Sequence, residues 1–142
     1  MSRVYWDSML FIYLIEANPA FAPRVRSIYR AMEGRGDELC TSACTLGEVL
    51  TGPRKVGATD VVDRIRDFFL KGDRVEMLPF TATTADRYSM IRSSTPAKPA
   101  DAIHLASAAD LGVELFLTHD KSLHKLTIPG IHFIAGLDAH LY

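Results

Sequence analysis

The stretch Val4-Tyr5-Trp6-Asp7-Ser8-Met9-Leu10-Phe11-Ile12-Tyr13-Leu14-Ile15 decides the fold class. Its first three residues are β-branched or aromatic and predict a strand. Asp7-Ser8 then makes a tight turn, after which Met9, Leu10, Ile12, Tyr13 and Leu14 recur at helical spacing until Asn18-Pro19 stops the helix. Tyr5 and Trp6 are expected in the core, because the strands of a parallel sheet are covered on both faces.

The same alternation continues down the chain. Phe21 to Glu33 carries Phe21, Val25, Ile28, Tyr29 and Met32 on one helical face and ends at Gly34 and Gly36. Glu38 to Ser42 reads as a short buried strand, followed by a brief helix through Leu46, Glu48, Val49 and Leu50 that Gly52-Pro53 is expected to close. Thr59 to Lys71 predicts another helix with Gly72 as its stop, and Val75 to Leu78 another strand. A helix from Ala82 to about Arg92 leads to a rigid loop, Ser93 to Pro99, and Asp101 opens an Ala- and Leu-rich helix that ends at Gly112. Strands follow at Glu114 to Thr118 and Ile131 to Ile134. Strands separated by helices imply βαβ units, hence an α/β fold with a central parallel β-sheet flanked by α-helices. With no repeat or linker in its 142 residues, the chain is expected to form one domain, 1–142.

Composition narrows the function. The chain is 48% hydrophobic and 23% charged, which predicts an ordered core rather than disorder. A formal net charge of -1 provides no global attraction to a polyanion, so nucleic acid would have to be held by a local patch or through metal. Asp7 interrupts what a signal peptide would need, and the apolar run Met9 to Ile15 is far short of the roughly 20 residues that cross a bilayer. A cytoplasmic protein with no membrane partner is expected. Cys40 and Cys44 lack CxxC spacing and are read as small packing residues.

Chemistry should lie outside the carboxyl ends of the parallel strands. Asp7 follows the first strand and Asp120 follows the strand ending at Thr118, so both carboxylates are expected in one crevice. Asp101 and Glu48 are plausible additions to its rim. Each aspartate alone is better explained locally, Asp7 as a helix cap, Asp101 as an N-terminal helix acid and Asp120 as the start of a turn. Glu48 is not, because in Thr45-Leu46-Gly47-Glu48-Val49-Leu50 it stands among apolar residues, where an unpaired carboxylate is costly. Clustered acids would repel one another without a cation. Hard oxygen ligands with no His/Cys set favour Mg²⁺ or Mn²⁺, and such a site suits phosphodiester hydrolysis. His119 and His124 are read as solvated loop residues, His104 as a packing residue that hydrogen-bonds at its edge, and Arg54-Lys55, Lys98 and Lys121 as surface charges near the crevice.

Four blocks of sequence carry a resemblance: Val4 to Glu16, Thr45 to Gly52, Pro99 to Ala106 (Pro-Ala-Asp-Ala-Ile-His-Leu-Ala) and Leu117 to Asp120 (Leu-Thr-His-Asp). In order and separation they resemble the four acidic motifs of the PIN-domain nucleases, and the length resembles the VapC toxins of bacterial type II toxin–antitoxin pairs. The resemblance implies a Rossmann-like PIN fold, a Mg²⁺- or Mn²⁺-dependent endoribonuclease acting on RNA, and a homodimer blocked by a cognate antitoxin protein. It makes Asp7, Glu48, Asp101 and Asp120 the catalytic and metal-binding acids, with Ser8 and Thr118 as supporting hydroxyls. Met9 stands where many members have Asn, and Lys121-Ser122-Leu123 where some carry a further acid.

Two other readings share a similar sheet. An aspartyl-phosphate phosphotransferase or phosphatase also places Asp after the first strand, but the phosphatase type wants a second Asp at the position of Met9. A catalytically inactive module that binds RNA or protein would have no need of all four acids.

Overall fold

The computed structural model describes residues Met1–Tyr142. In chain order it runs β1 (Arg3–Trp6), α1 (Ser8–Ile15), α2 (Ala22–Arg35), β2 (Glu38–Ser42), α3 (Ala43–Lys55), α4 (Thr59–Leu70), β3 (Glu76–Leu78), α5 (Ala82–Ser94), α6 (Pro99–Leu111), β4 (Leu115–Leu117) and β5 (Phe133–Ala135), with a 3₁₀ turn at Lys121–Leu123. The five strands form one sheet in the order β3-β2-β1-β4-β5. Every pairing is parallel, with Tyr5 opposite Cys40 on one side and Phe116 on the other.

Alternation along β1 divides the core. Val4 and Trp6 point into a cluster with Leu10, Phe11, Val25, Ile28, Val49, Ile65 and Phe69, contributed by α1 to α4. Tyr5 points the opposite way, among Leu105, Ala106, Ala109, Phe116 and Ile91 of the α5–α6 face. Trp6 and Tyr5 are fully buried, and each side chain of that size stabilises the fold by roughly 1.5–3 kcal/mol through burial. The small side chains Ala102, Ala106 and Ala109 let α6 lie close against the sheet.

Several boundaries differ from the sequence expectation. Helix α3 passes through Gly52-Pro53 and ends at Lys55. Pro53 lies in the final turn, where losing one amide donor leaves most of the ladder intact, and Gly57, at φ 67°, follows the stop. Helix α6 begins at Pro99 rather than at Asp101, because a proline fixes the φ that a first helical residue needs and its missing amide would have had no partner. The last strand is Phe133–Ala135 rather than Ile131–Ile134, since the Ile131 amide is already used in a turn to the Ile128 carbonyl. No helix is long and apolar enough to cross a membrane.

Candidate active site

Strand order reverses direction between β1 and β4, the strands that lead into the first and last crossovers of the sheet, and in such folds the crevice at that point collects ligands. β1 delivers Asp7 to it. The Asp7 amide continues the ladder by donating to the Leu117 carbonyl at 3.0 Å, so the residue is fixed as a strand end before its side chain caps α1. Asp7 Oδ1 accepts the Ser8 amide at 2.7 Å, and Ser8 Oγ lies 3.4 Å from the same oxygen. Oδ2 accepts the Thr118 hydroxyl at 2.8 Å. Thr118 Oγ1 in turn accepts the Asp120 amide at 3.1 Å, so this fully buried hydroxyl ties the first acid to the last.

Asp120 caps its own turn, its Oδ1 accepting the Ser122 amide at 3.0 Å and the Ser122 hydroxyl at 2.7 Å. Asp101 lies in the first turn of α6. Glu48 lies on α3, whose start is anchored by Thr41 Oγ1, which donates to the Trp6 carbonyl at 2.9 Å and pairs with Thr45 Oγ1 at 2.7 Å. Asp7, Ser8, Glu48, Asp101, His104 and Asp120 thereby line one open cavity of about 330 Å³, with Met9, Tyr13 and His119 completing its wall. Asp7 and Asp120 do cap their turns and Asp101 stands as an acid in the first turn of α6 without a capping bond, and these roles coexist with a shared cavity.

Glu48 is held by a chain of hydrogen bonds. Tyr5 Oη accepts the Ser42 amide at 3.1 Å and pairs with His104 Nδ1 at 2.7 Å, while His104 Nε2 pairs with Glu48 Oε1 at 2.6 Å. Burial pushes the Tyr5 hydroxyl far above its ordinary value, so it keeps its proton, and because the Glu48 carboxylate can only accept from Nε2, the hydroxyl is the donor to Nδ1. The imidazole N–H is thereby assigned to Nε2, where it donates to the carboxylate. Cys44, one turn before Glu48, donates its thiol to the same oxygen at 3.6 Å.

The expected mutual repulsion of the acids falls unevenly. Asp101 is pushed up, first by burial and then by the charges of Asp7 and Asp120. Glu48 is held down, chiefly by the hydrogen bond from His104, and Asp120 by that from Ser122. Burial, with the Glu48 charge second, pushes the Cys44 thiol up to about 11. An oxygen-rich rim with one carboxyl raised by burial and then by its neighbours' charge fits a hard divalent cation, which would relieve the repulsion. A tighter cluster lies beside it: the donor atoms of Cys44, Glu48 and His104 are within 4.8 Å of one another and are capable of holding a metal ion.

Residues 4–128 match the PIN domain. The chain belongs to the PIN-domain family. No match was found among curated proteins. Among solved structures, the PIN domain here is similar to a chain of DNA-bound VapBC from Salmonella typhimurium, at 22% identity and a TM-score of 0.74, covering 96% of this chain and 99% of that one. It is similar to a chain of VapBC2 from Rickettsia felis bound to a promoter DNA fragment, at 16% identity and 0.74, covering 94% and 98%. It is also similar to a chain of a toxin–antitoxin complex from Klebsiella pneumoniae, at 22% and 0.65, covering 90% and 94%. These likenesses establish the fold.

Some residues of this PIN domain take places the sequence did not suggest. His104 is 1% exposed and packs as expected, yet it also reaches the cavity and bonds at both ring nitrogens. Cys44 is half-buried on Glu48 rather than packed in the core, whereas Cys40 is buried as expected. The expectation of acids without a His/Cys set therefore fails at Glu48. His119 is not a solvated loop residue, because Nδ1 pairs with Tyr13 Oη at 2.6 Å and the ring stands edge-on to Phe21. His124 Nε2 donates to the Thr118 carbonyl at 2.9 Å, bracing the strand end that carries the bridging hydroxyl.

Proposed function

We propose that this chain is a metal-dependent endoribonuclease that hydrolyses RNA phosphodiester bonds in the cytoplasm, as the toxin of a toxin–antitoxin pair. The carrying observation is that Asp7, Glu48, Asp101 and Asp120, separated by up to 113 residues of sequence, line one cavity at the carboxyl edge of a parallel sheet in a PIN domain. On this reading the four acids would hold Mg²⁺, with Mn²⁺ able to substitute, and act as the catalytic set. A bound ion of this kind supplies Lewis acidity at the phosphoryl oxygen and a lowered pKa for the attacking water.

The chain's own residues orient the site. Thr118 and Ser8 fix the Asp7 carboxylate, the Tyr5–His104 pair fixes Glu48 through one oxygen and leaves Oε2 for a ligand, and Asp101 and Asp120 face the open side where substrate enters. Lys98, exposed at the start of α6 and close enough to lower both Asp101 and Asp120, is placed to meet the RNA backbone.

The antitoxin partner is proposed from the complexes in which the similar chains occur. An apolar groove of about 310 Å³ between α1 and α4, lined by Phe11, Leu14, Ile65, Phe68 and Phe69, gives a partner's amphipathic segment a surface to cover. The chain is proposed to be a homodimer, and a monomeric mass by light scattering at micromolar concentration would refute that.

Incubation with a mixed RNA set tests the activity. Cleavage should require Mg²⁺ or Mn²⁺, stop with EDTA, and fail with Ca²⁺, whose longer bonds misplace the attacking water. An acyl-phosphate trapped from a small phosphodonor, with RNA left intact, would favour phosphotransfer instead.

A further inference from the structure

We propose that Cys44, Glu48 and His104 form a second metal site, selective for a borderline-soft divalent ion such as Zn²⁺ or Co²⁺, that switches the acidic centre off by taking Glu48 from it. The last clause rests on Glu48 serving the proposed nuclease; the site itself does not.

Three ligand types converge here from two helices. Cys44 and Glu48 are one turn apart on α3, and His104 reaches them from α6. In a tetrahedral zinc site, metal–ligand bonds of about 2.0–2.3 Å set neighbouring donors about 3.3–3.5 Å apart. Cys44 Sγ and Glu48 Oε1 are already 3.6 Å apart. His104 Nε2 and Glu48 Oε1, at 2.6 Å, must open by a little under 1 Å, which the flexible, 37% exposed Glu48 side chain can provide. Glu48 and His104 line the open cavity, so water from it could complete the sphere of an ion held there.

Metal at Nε2 needs the imidazole proton on Nδ1, where it would donate to Tyr5 Oη. The Tyr5 proton then needs a new acceptor. Ser42 supplies one next to it: its amide already donates to Tyr5, and its hydroxyl is buried with no partner. The thiol proton leaves to solvent as the thiolate binds. Thiolate and imidazole favour Zn²⁺ or Co²⁺ over Mg²⁺, so the two sites discriminate by ligand chemistry while sharing one carboxylate.

The test is a titration of the reduced protein with cobalt(II) chloride under argon. Wild type should bind one equivalent with an intense thiolate-to-cobalt charge-transfer band. Cys44→Ser should lose the band and weaken binding by more than the roughly tenfold that loss of an outer partner alone costs, with melting temperature unchanged. Cys40→Ala should keep the band. Binding through exposed histidines such as His132 or His140 would show no such band, and its absence in wild type, or its survival in Cys44→Ser, overturns the site. In a parallel arm at fixed Mg²⁺, micromolar Zn²⁺ should inhibit RNA cleavage by wild type and spare Cys44→Ser. Equal inhibition of both overturns the shared-carboxylate switch. Failure of the RNA reaction under every metal would remove the nuclease reading while the cobalt band still decides the site.

Discussion

Glu48 and Asp101 face each other across one cavity, yet the two walls treat them in opposite ways. On the α3 side, Glu48 is held by the His104–Tyr5 chain and its carboxyl is lowered. On the α6 side, Asp101 accepts no hydrogen bond, and burial and the charges of Asp7 and Asp120 raise it. One wall is pre-organised by the protein alone, whereas the other stores repulsion that a cation would discharge. Sites that bind metal need both: ligands fixed in advance, and a charge imbalance that the ion resolves.

The largest effects should ignore the difference between the walls. Asp7→Asn, Glu48→Gln, Asp101→Asn and Asp120→Asn should each lower RNA cleavage by about a hundredfold or more, the scale of removing one electrostatic group from an active site. Single-turnover assays in Mg²⁺ check this, and normal cleavage by two of the four would break the shared site. Thr118→Val comes next. It leaves a buried Asp7 oxygen and the Asp120 amide without their partner, which should cost about 1–3 kcal/mol and lower the melting temperature by several degrees, read by calorimetry.

Metal-free stability should separate the walls. Asp101 is raised in the folded state, so the folded protein binds the extra proton and loses stability as pH rises through the raised value. Asp101→Asn should therefore melt at or above wild type at pH 7, with the gap closing as pH falls below the ordinary carboxylate range. Glu48 is lowered, so its contribution is present at neutral pH and is lost as pH falls through the folded value. With solvent screening trimming its bond to about 1 kcal/mol, Glu48→Gln should melt roughly 2–4 °C lower. Two shifts of the same sign would end the comparison. The smallest effect is expected of Lys98→Ala, a few-fold rise in the RNA KM with a shallower salt dependence and little change in kcat.

Much of this was legible in the sequence. Apolar periodicity gave the alternating elements, and the position of Asp7 and Asp120 just past strands pointed to one crevice, because parallel strands must share their carboxyl edge. What escaped was set by tertiary contact alone. His104 and Glu48 are 56 residues apart, and a histidine on an Ala-rich helix carries no local sign that its ring spans Tyr5 and a carboxylate. Cys44 reads as an ordinary small residue until α3 is wound and places it one turn from Glu48. The boundaries that differ have local causes: Gly52-Pro53 reads as a stop although a final turn tolerates proline, and the start of β5 is set by which amide the preceding turn already uses.

Counting bound Mn²⁺ by electron paramagnetic resonance at neutral pH tests, without reference to activity, the proposal that the four acids make one divalent-metal centre. Wild type should bind Mn²⁺ competitively with Mg²⁺, and Asp7→Asn, Glu48→Gln, Asp101→Asn and Asp120→Asn should each weaken that binding at least about tenfold. Mn²⁺ bound as tightly by Asp101→Asn and Asp120→Asn as by wild type would overturn it, because the side of the cavity that carries these two acids would then hold no metal.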